Sequence, residues 1–367
     1  ARDPAYQTKF ISECLRGMNE FYGTPSKAKT VDEFMTENET ASVRCIAVTF
    51  ETRPDWCCEE HINRMLDLGV TKVELGFQHT EDELLTLNKR GHTIEDSVLA
   101  NTLLRDAGIK VGFHVMPNLY GSSIERDKRM FDTLFTDERF CPDFLKIYPT
   151  LVTPGTELEE LWKSGAYTTY DEDELIDLLA YAKSRLPEYV RLQRIQRDIP
   201  AKLIVSGSRH GHIRQMAQER LEKDGRRCHC IRCREIGRHP SNAVEQDETL
   251  TYSCCGGTEH FISTTAGDAL IGFVRLRFPR RVFRSELENA ALVRELHVYG
   301  MLVPLGEKGT GDERQHRSYG KHLLARAEVM AKEAGYEKVA IMAGIGVRPY
   351  YHKQGYVRRG PYMVKEL

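Results

Sequence analysis

Apolar and polar positions change period along this chain, and the changes mark out its elements. Arg44–Phe50, Val70–Gln78, Ile109–Met116, Phe144–Thr150 and Tyr189–Ile195 are rich in β-branched and aromatic residues and are bounded by glycine, proline or charged turns, so each is predicted as a strand. Between them Glu59–Leu68, Ile94–Ala107, Ser123–Phe135 and Asp173–Leu186 carry apolar residues at helical spacing. Gly69 and Gly108 stand where helix ends favour a left-handed residue. Repeated strand–helix units imply right-handed crossovers and a parallel sheet, an α/β class. A doubly wound sheet and a partial barrel share this pattern, and periodicity does not separate them.

After Ala201 the pattern changes. A helix is predicted near His212–Lys223, followed by a run dense in Arg and Cys and a polar stretch at Asn242–Thr249. From Leu250 period two takes over, with strands at Leu250–Ser253, His260–Ser263, Ala269–Phe278 and Val293–Val303. One helix follows at Tyr319–Ala334 and one strand at Lys338–Met342. The expected organisation is an α/β unit over residues 1–200, a linker over 201–249 and an α+β unit over 250–367.

Composition narrows the class. The chain has 367 residues, 41% hydrophobic and 29% charged, which is the balance of a globular protein with room for two or three domains. No run of eighteen apolar residues occurs, so no membrane span is expected. The first residues lack a charged and an apolar region, so no signal peptide is expected, and ten cysteines without a framework of spacings suit a reducing cytoplasm. The missing initiator Met points to a trimmed chain. A formal net charge of −2 does not announce nucleic acid, so any RNA surface has to come from local arginine patches. Arg191, Arg194 and Arg197 on the last barrel strand, with Arg275, Arg277, Arg280, Arg281 and Arg284, are the candidates; Arg275 and Arg277 alternate and share one face.

Two motifs carry chemistry. Gln315-His316-Arg317-Ser318-Tyr319-Gly320 precedes a helix whose first N–H groups are unpaired and lie at the positive end of its dipole, where a pyrophosphate can sit. The small residue at Gly320 lets backbone approach phosphate. Second, Cys228-x-Cys230-x2-Cys233 places three soft ligands within six residues, with His229 among them, which is a zinc-knuckle spacing with the fourth ligand open. A chance clustering of free cysteines is the plain alternative.

The order of strand, pyrophosphate turn, helix and strand, followed by Arg348-Pro349-Tyr350-Tyr351-His352-Lys353-Gln354-Gly355-Tyr356, resembles the GCN5-related N-acetyltransferase (GNAT) superfamily, with Ser318 replacing the first glycine of its turn. Glu295-Leu296-His297-Val298-Tyr299-Gly300 and Gly360-Pro361-Tyr362-Met363-Val364-Lys365 narrow the resemblance. With Glu51-Thr52-Arg53-Pro54-Asp55, Tyr148-Pro149-Thr150-Leu151-Val152 and Gln196-Arg197-Asp198-Ile199-Pro200, they resemble the catalytic subunit of Elongator along essentially the whole chain. That resemblance implies a partial radical SAM (β/α) barrel, a zinc-knuckle linker and a GNAT-like domain. It implies an acyltransferase that adds a carboxymethyl group to carbon 5 of the tRNA wobble uridine, using acetyl-CoA and a radical derived from S-adenosylmethionine.

By position, the resemblance makes Glu295, Leu296, His297 and Val298 the strand that binds the pantetheine arm. It makes Gln315, Tyr319, Gly320 and Lys321 the pyrophosphate turn, Tyr351 the thioester-side tyrosine, and Glu51 part of the cofactor-facing rim. Tyr351, Glu295 and His297 are the catalytic candidates. The family holds an iron–sulfur cluster with three cysteines at a short spacing; no such string occurs here, since Cys45, Cys57 and Cys58 are wrongly spaced, so the cluster-bearing segment is expected to be missing. Homo-oligomers or Elongator-type subunits are the expected partners besides tRNA. A lysine acetyltransferase, with Glu295 or His297 as base, and a non-catalytic scaffold are the competing functions.

Overall fold

A computed structural model describes residues 3–23, 25–197, 199–299 and 318–367. β1 (Thr49–Thr52), β2 (Lys72–Gln78), β3 (Lys110–Val115), β4 (Phe144–Ile147) and β5 (Arg191–Ile195) form one sheet in the order β1-β2-β3-β4-β5, every neighbour parallel. Spatial order follows chain order with no reversal, whereas a doubly wound sheet reverses at its switch point. The sheet is therefore wound as part of a barrel. Helices Glu59–Asp67, Ile94–Asp106, Ile124–Thr136 and Glu172–Ser184 make the crossovers. Thr93 and Asp171 close capping boxes at two of them, so the starts of these helices are fixed locally.

One face of this sheet is apolar and the other is not. Val73, Leu75, Phe77, Val111, Phe113, Val115, Leu145 and Ile147 are fully buried against the crossover helices. Alternating with them, Lys72, Glu74, His114 and Lys146 meet one another on the opposite face. Parallel strands covered by helices on both sides read as continuous apolar runs; a polar face marks a lined hollow.

Only the end of the expected Arg44–Phe50 strand pairs, from Thr49 onward. The earlier residues dock on the C-terminal unit instead. The Cys45 carbonyl accepts from Gly346 N–H at 2.7 Å, and a methyl group at Gly344 would stand 1.8 Å from the Ile46 carbonyl oxygen. β-rich composition is consistent with either use, which is why the pattern overreached. The helices Pro4–Asn19 and Val31–Asn38, short or polar in pattern, were not expected.

The second sheet comprises β6 (Glu245–Cys254), β7 (Gly257–Ala266), β8 (Ala269–Phe278), β9 (Ala290–Val298), β10 (Lys338–Ile341), β11 (Val357–Arg359) and β12 (Tyr362–Glu366), in the order β11-β12-β10-β9-β8-β7-β6. All neighbours are antiparallel except β9 and β10. The helix Tyr319–Glu333 buries Leu323, Leu324, Ala327 and Ala331 against it.

The two units share one apolar core, and a buried charge network crosses it. Arg277 from β8 donates to Asp106 at 2.6 and 2.8 Å. Arg294 from β9 grips both oxygens of Asp143 at 2.7 Å, and Arg105 reaches Glu259 on β7 at 3.1 Å. These three arginines have no exposed surface. Arg275 and Arg277 do share one face, but that face is closed against the barrel, which removes both from any RNA surface. Arg191, Arg281 and Arg284 likewise have carboxylate partners, in Glu235, Glu59 and Glu286.

Candidate functional site

The second unit carries a cleft where β9 leaves its neighbour. β9 pairs with β10 from Ala290 to Val293; beyond that point, among the described residues, Glu295–Val298 are bonded on the β8 side alone. A register shift at Arg275/Leu276 places an extra residue, Arg294, on β9, and it turns into the buried network. The splay leaves backbone groups of Glu295–Val298 open on the far side, as an amide-rich ligand requires.

The start of the helix Tyr319–Glu333 comes to the same place. Ser318 has φ 65° and makes no side-chain cap, so the first-turn N–H groups keep their donors. A methyl group at Gly320 would stand 2.8 Å from the Tyr350 hydroxyl oxygen and 3.9 Å from Val298. Gly320, Val298 and Tyr350 thus converge, and the absent side chain keeps the turn open. Tyr319 contributes differently from expectation: its ring is buried and its hydroxyl donates to Glu245 at 2.7 Å, which leaves only its backbone for a ligand. Lys321 is exposed on the first turn. Gln315 lies outside the described residues.

Tyr351 sits beside Tyr350, ring against ring at 5.1 Å, and is buried. Burial pushes its phenol above the ordinary value, and the nearby Tyr350 and Glu295 push the same way, so the phenol stays protonated. Glu295 is opposed by burial but held ionised by Arg275, which donates at 2.8 Å, and by Lys110. His297 is exposed at the edge of the cleft, its ring centroid 4.3 Å from that of Tyr299 and tilted by 43°. Crowding by protein lowers its pKa, with Glu295 opposing.

Glu295 adjoins the polar face of the barrel through Lys110 and Arg275. Burial above all brings the Lys110 ammonium, at the start of β3, down to about 8, and the Glu295 charge acts against that fall. Lys72 stands 4.4 Å over the Phe144 ring, and Arg275 stands 5.8 Å from the same ring on the other side of the boundary. From there Lys72 donates to Glu74 at 2.5 Å and to Gln193 at 3.0 Å. Glu74 also accepts from Lys146 and lies 2.8 Å from His114 Nε2. Burial alone would raise the Glu74 pKa; its three partners hold it well below the carboxylate range instead. Glu51, exposed at the rim, reaches His114 Nδ1 at 3.3 Å.

The C-terminal ends of the strands form the mouth of the hollow. Gln78 and Gln196 end β2 and β5 with φ of 70° and 71°, and each holds a buried amide oxygen with no partner among the described residues. Arg90 is half-buried, has an unpaired Nε, and faces Arg53 and Arg197 rather than a carboxylate; burial and those like charges lower its pKa. Sequence reading missed Arg90, Gln78 and Gln196, because nothing in a loop arginine or a strand-end glutamine announces an unpaired buried atom. Tyr148 closes the mouth, edge-on to His114 at 5.2 Å with Arg197 over its ring.

Cysteines gather elsewhere. The ligand atoms of Cys228, Cys230 and Cys233 lie within 4.8 Å of one another. Contacts from Cys228 and Cys233 hold the Cys230 thiol below its ordinary pKa, against burial. Ile231 donates to the Val190 carbonyl at 2.9 Å, which fixes this knuckle at the N-terminal end of β5, opposite the mouth. Three thiolates in reach of one point fit zinc. At the mouth, Cys57 is buried with its thiol pushed up to about 12 by burial, and Cys58 is engaged with His61 Nδ1 at 3.0 Å. Among the described residues, no three thiols meet at the mouth, so these residues do not supply the ligands of a radical-forming iron–sulfur cluster.

A parallel barrel segment with a polar face, packed against a mixed sheet that carries a splayed strand, defines a two-unit protein of the radical-barrel class. Residues 11–134 match the Radical SAM superfamily and residues 142–223 the Radical_SAM C-terminal domain. A tRNA uridine(34) acetyltransferase of Methanocaldococcus infernus is 47% identical over 378 residues, covering 100% of this chain and 70% of that protein. Elongator complex protein 3 of Saccharomyces cerevisiae is 38% identical over 376 residues, covering 99% and 66%. The solved structure of the archaeal Methanocaldococcus infernus Elp3 with an N-terminal deletion superposes with a TM-score of 0.93 at 46% identity, covering 100% of this chain and 87% of that one. The chain belongs to the family of the tRNA uridine(34) acetyltransferases and Elongator complex protein 3.

Proposed function

We propose that this chain modifies the wobble uridine of tRNA, with acetyl-CoA as carbon source and an S-adenosylmethionine-derived radical as the reagent, and leaves a carboxymethyl group on carbon 5. One observation supports the reading: Arg275, bonded to Glu295 in the donor cleft, reaches the Phe144 ring that Lys72 of the barrel's polar face also covers, so the two sites adjoin. A lysine acetyltransferase has no use for that polar face, and its relatives' names give it no support.

In this reading the first-turn N–H groups at Tyr319–Lys321 hold the pyrophosphate, Gln315 belongs to the same motif by sequence, and the edge of Glu295–Val298 bonds the pantetheine amides. Tyr351, kept protonated, gives its proton to the departing thiolate, and Glu295 and His297 orient the water that hydrolyses the thioester. S-Adenosylmethionine fits the mouth: Arg90 suits its carboxylate, Glu51 its ammonium and the free Gln78 oxygen its ribose hydroxyls. The iron–sulfur ligands lie beyond the described mouth residues. Cys228, Cys230 and Cys233 hold zinc as a structural ion where the units meet, and Cys230→Ser is expected to lose one zinc per chain on metal analysis.

The units divide as 1–200, 201–249 and 250–367, and the site of action is the cytoplasm; no described helix is long and apolar enough to cross a membrane. Assembly as a homo-oligomer or with Elongator-type subunits belongs to the same reading. The test is thioester hydrolysis of acetyl-CoA with and without tRNA. Stimulation by tRNA is expected; acetylation of a basic peptide without such stimulation would overturn the reading in favour of a lysine acetyltransferase.

A further inference from the structure

With Arg275 and Arg277 shut inside the molecule, the arginines available to RNA have to lie elsewhere, and a cavity rich in basic side chains lies beside the knuckle. It has a volume of 790 Å³ and lies between the helices Glu172–Ser184 and Ile213–Lys223, the Cys228–Cys233 turn and the β7–β8 turn. Its walls carry six Lys or Arg side chains against two acids, Glu222 and Asp268. Some of that charge is spoken for: Arg227 pairs with Asp268, Arg234 with Glu188 and Arg238 with Glu235. The rest is not. Arg232 has no carboxylate partner among the described residues. Arg214 spends its donors on the Leu192 and Gln193 carbonyls at 2.9 and 3.2 Å, which neutralise nothing. Lys183 is buried behind them.

Arg214 also faces the knuckle thiols, so Arg232 is the wall arginine left with a guanidinium for an anion from outside. His212, His229 and His239 line the same walls, so flat rings stand next to the cations. Bases stack on histidine and arginine planes while phosphates take the charge, a combination that suits single-stranded RNA better than an acidic peptide. The space also far exceeds a lone phosphate.

We propose that this cavity is a second RNA-binding site, which takes a phosphodiester on Arg232 and an unpaired base on the neighbouring histidines. The site rests on the reading of tRNA as substrate. It lies at the N-terminal end of β5, the end opposite the mouth, so it binds RNA flanking the reacting nucleotide and sets the register of the substrate on the protein.

The test is a salt titration of binding to an anticodon stem–loop RNA carrying the wobble uridine, with the intact chain and the variants Arg232→Gln, Arg227→Gln and Arg232→Lys. Arg232→Gln is expected to bind about 5-fold more weakly, with the slope of log K against log salt less negative by about one, and Arg232→Lys to restore the slope. Zinc content and the thermal midpoint are read for each variant. Should Arg232→Gln disturb the knuckle, Arg227→Gln at the cavity lip, whose pair with Asp268 is exposed and so only weakly held, carries a smaller change of the same sign. A wild-type slope in both glutamine variants overturns the cavity and leaves the tRNA reading standing. Absence of salt-dependent RNA binding in the unaltered chain overturns the tRNA reading itself. Equal competition by inorganic phosphate or by a polyglutamate peptide for the intact site would also overturn it, by showing a general anion site.

Discussion

Between the two sheets, Arg105, Arg277 and Arg294 each meet carboxylates at hydrogen-bond distance and have no exposed surface. At the mouth of the barrel, Arg90 is half-buried and, among the described residues, meets none, and Gln78 and Gln196 hold amide oxygens that no described residue satisfies. Both regions put polar groups out of reach of water, at a cost unless each is paired. Between the sheets the paired charges fix how the units sit, even though Arg275 keeps two nitrogens without a hydrogen bond there; at the mouth, Arg90 has no carboxylate among the described residues, so a partner from outside can supply one. The difference separates structural arginines from functional ones, which residue type alone does not do.

Breaking the saturated network gives the largest expected effect. Asp143 accepts from Arg294 twice and from the Val111 N–H, so Asp143→Ala strands charge in the interior and is expected to cost about 3–5 kcal/mol, read by urea unfolding. The same carboxylate sets an acid response. Burial opposes its ionisation, but Arg105, Arg294 and Arg275 hold its pKa well below the ordinary value. A depressed pKa contributes stability above the unfolded-state value of about 4 and loses it as pH falls toward the folded value. Stability is therefore expected to be flat from neutrality to about pH 5 and to fall below that, and the acid slope is expected to be shallower in Asp143→Ala.

Removing one proton donor from the donor cleft tests the unsaturated side. Tyr351→Phe keeps the ring packing and deletes the hydroxyl, so tRNA-stimulated hydrolysis of acetyl-CoA is expected to drop about 100-fold while acetyl-CoA binding changes little. Loss of binding in place of turnover would make Tyr351 a packing residue.

The sequence was most legible where a residue's job is local. Strand and helix periods placed most of the elements within a few residues, and the cysteine spacing found a real gathering of thiols. It was least legible where the job depends on a partner far along the chain. Arg277 and Asp106 are 171 positions apart, so alternation at Arg275 and Arg277 could show a shared face but not that the face was closed. The same distance hid Arg90, whose importance lies in what it lacks. Winding order was open for the same reason, since only pairing of β1 to β5 in chain order separates a barrel from a doubly wound sheet.

Arg90→Gln sharpens the contrast, because a stranded charge is removed rather than created. The fold is expected to be unharmed or slightly steadier, and S-adenosylmethionine binding to weaken about 10- to 100-fold by calorimetry, the worth of a charged hydrogen bond. A clear loss of stability would place Arg90 with the structural arginines.

The smallest effect comes from a pair that belongs to neither class. Lys89 contacts both oxygens of Glu157 at 2.6 and 2.7 Å, a geometry as close as any in the interior network. Both side chains are about 70% exposed, at 72% and 68%, so water screens the attraction and would solvate either charge alone. Lys89→Ala is expected to change unfolding free energy by less than about 0.5 kcal/mol. Should it cost as much as Asp143→Ala, distance rather than burial would set the worth of these pairs, and the division between saturated and unsaturated sites would lose its physical basis.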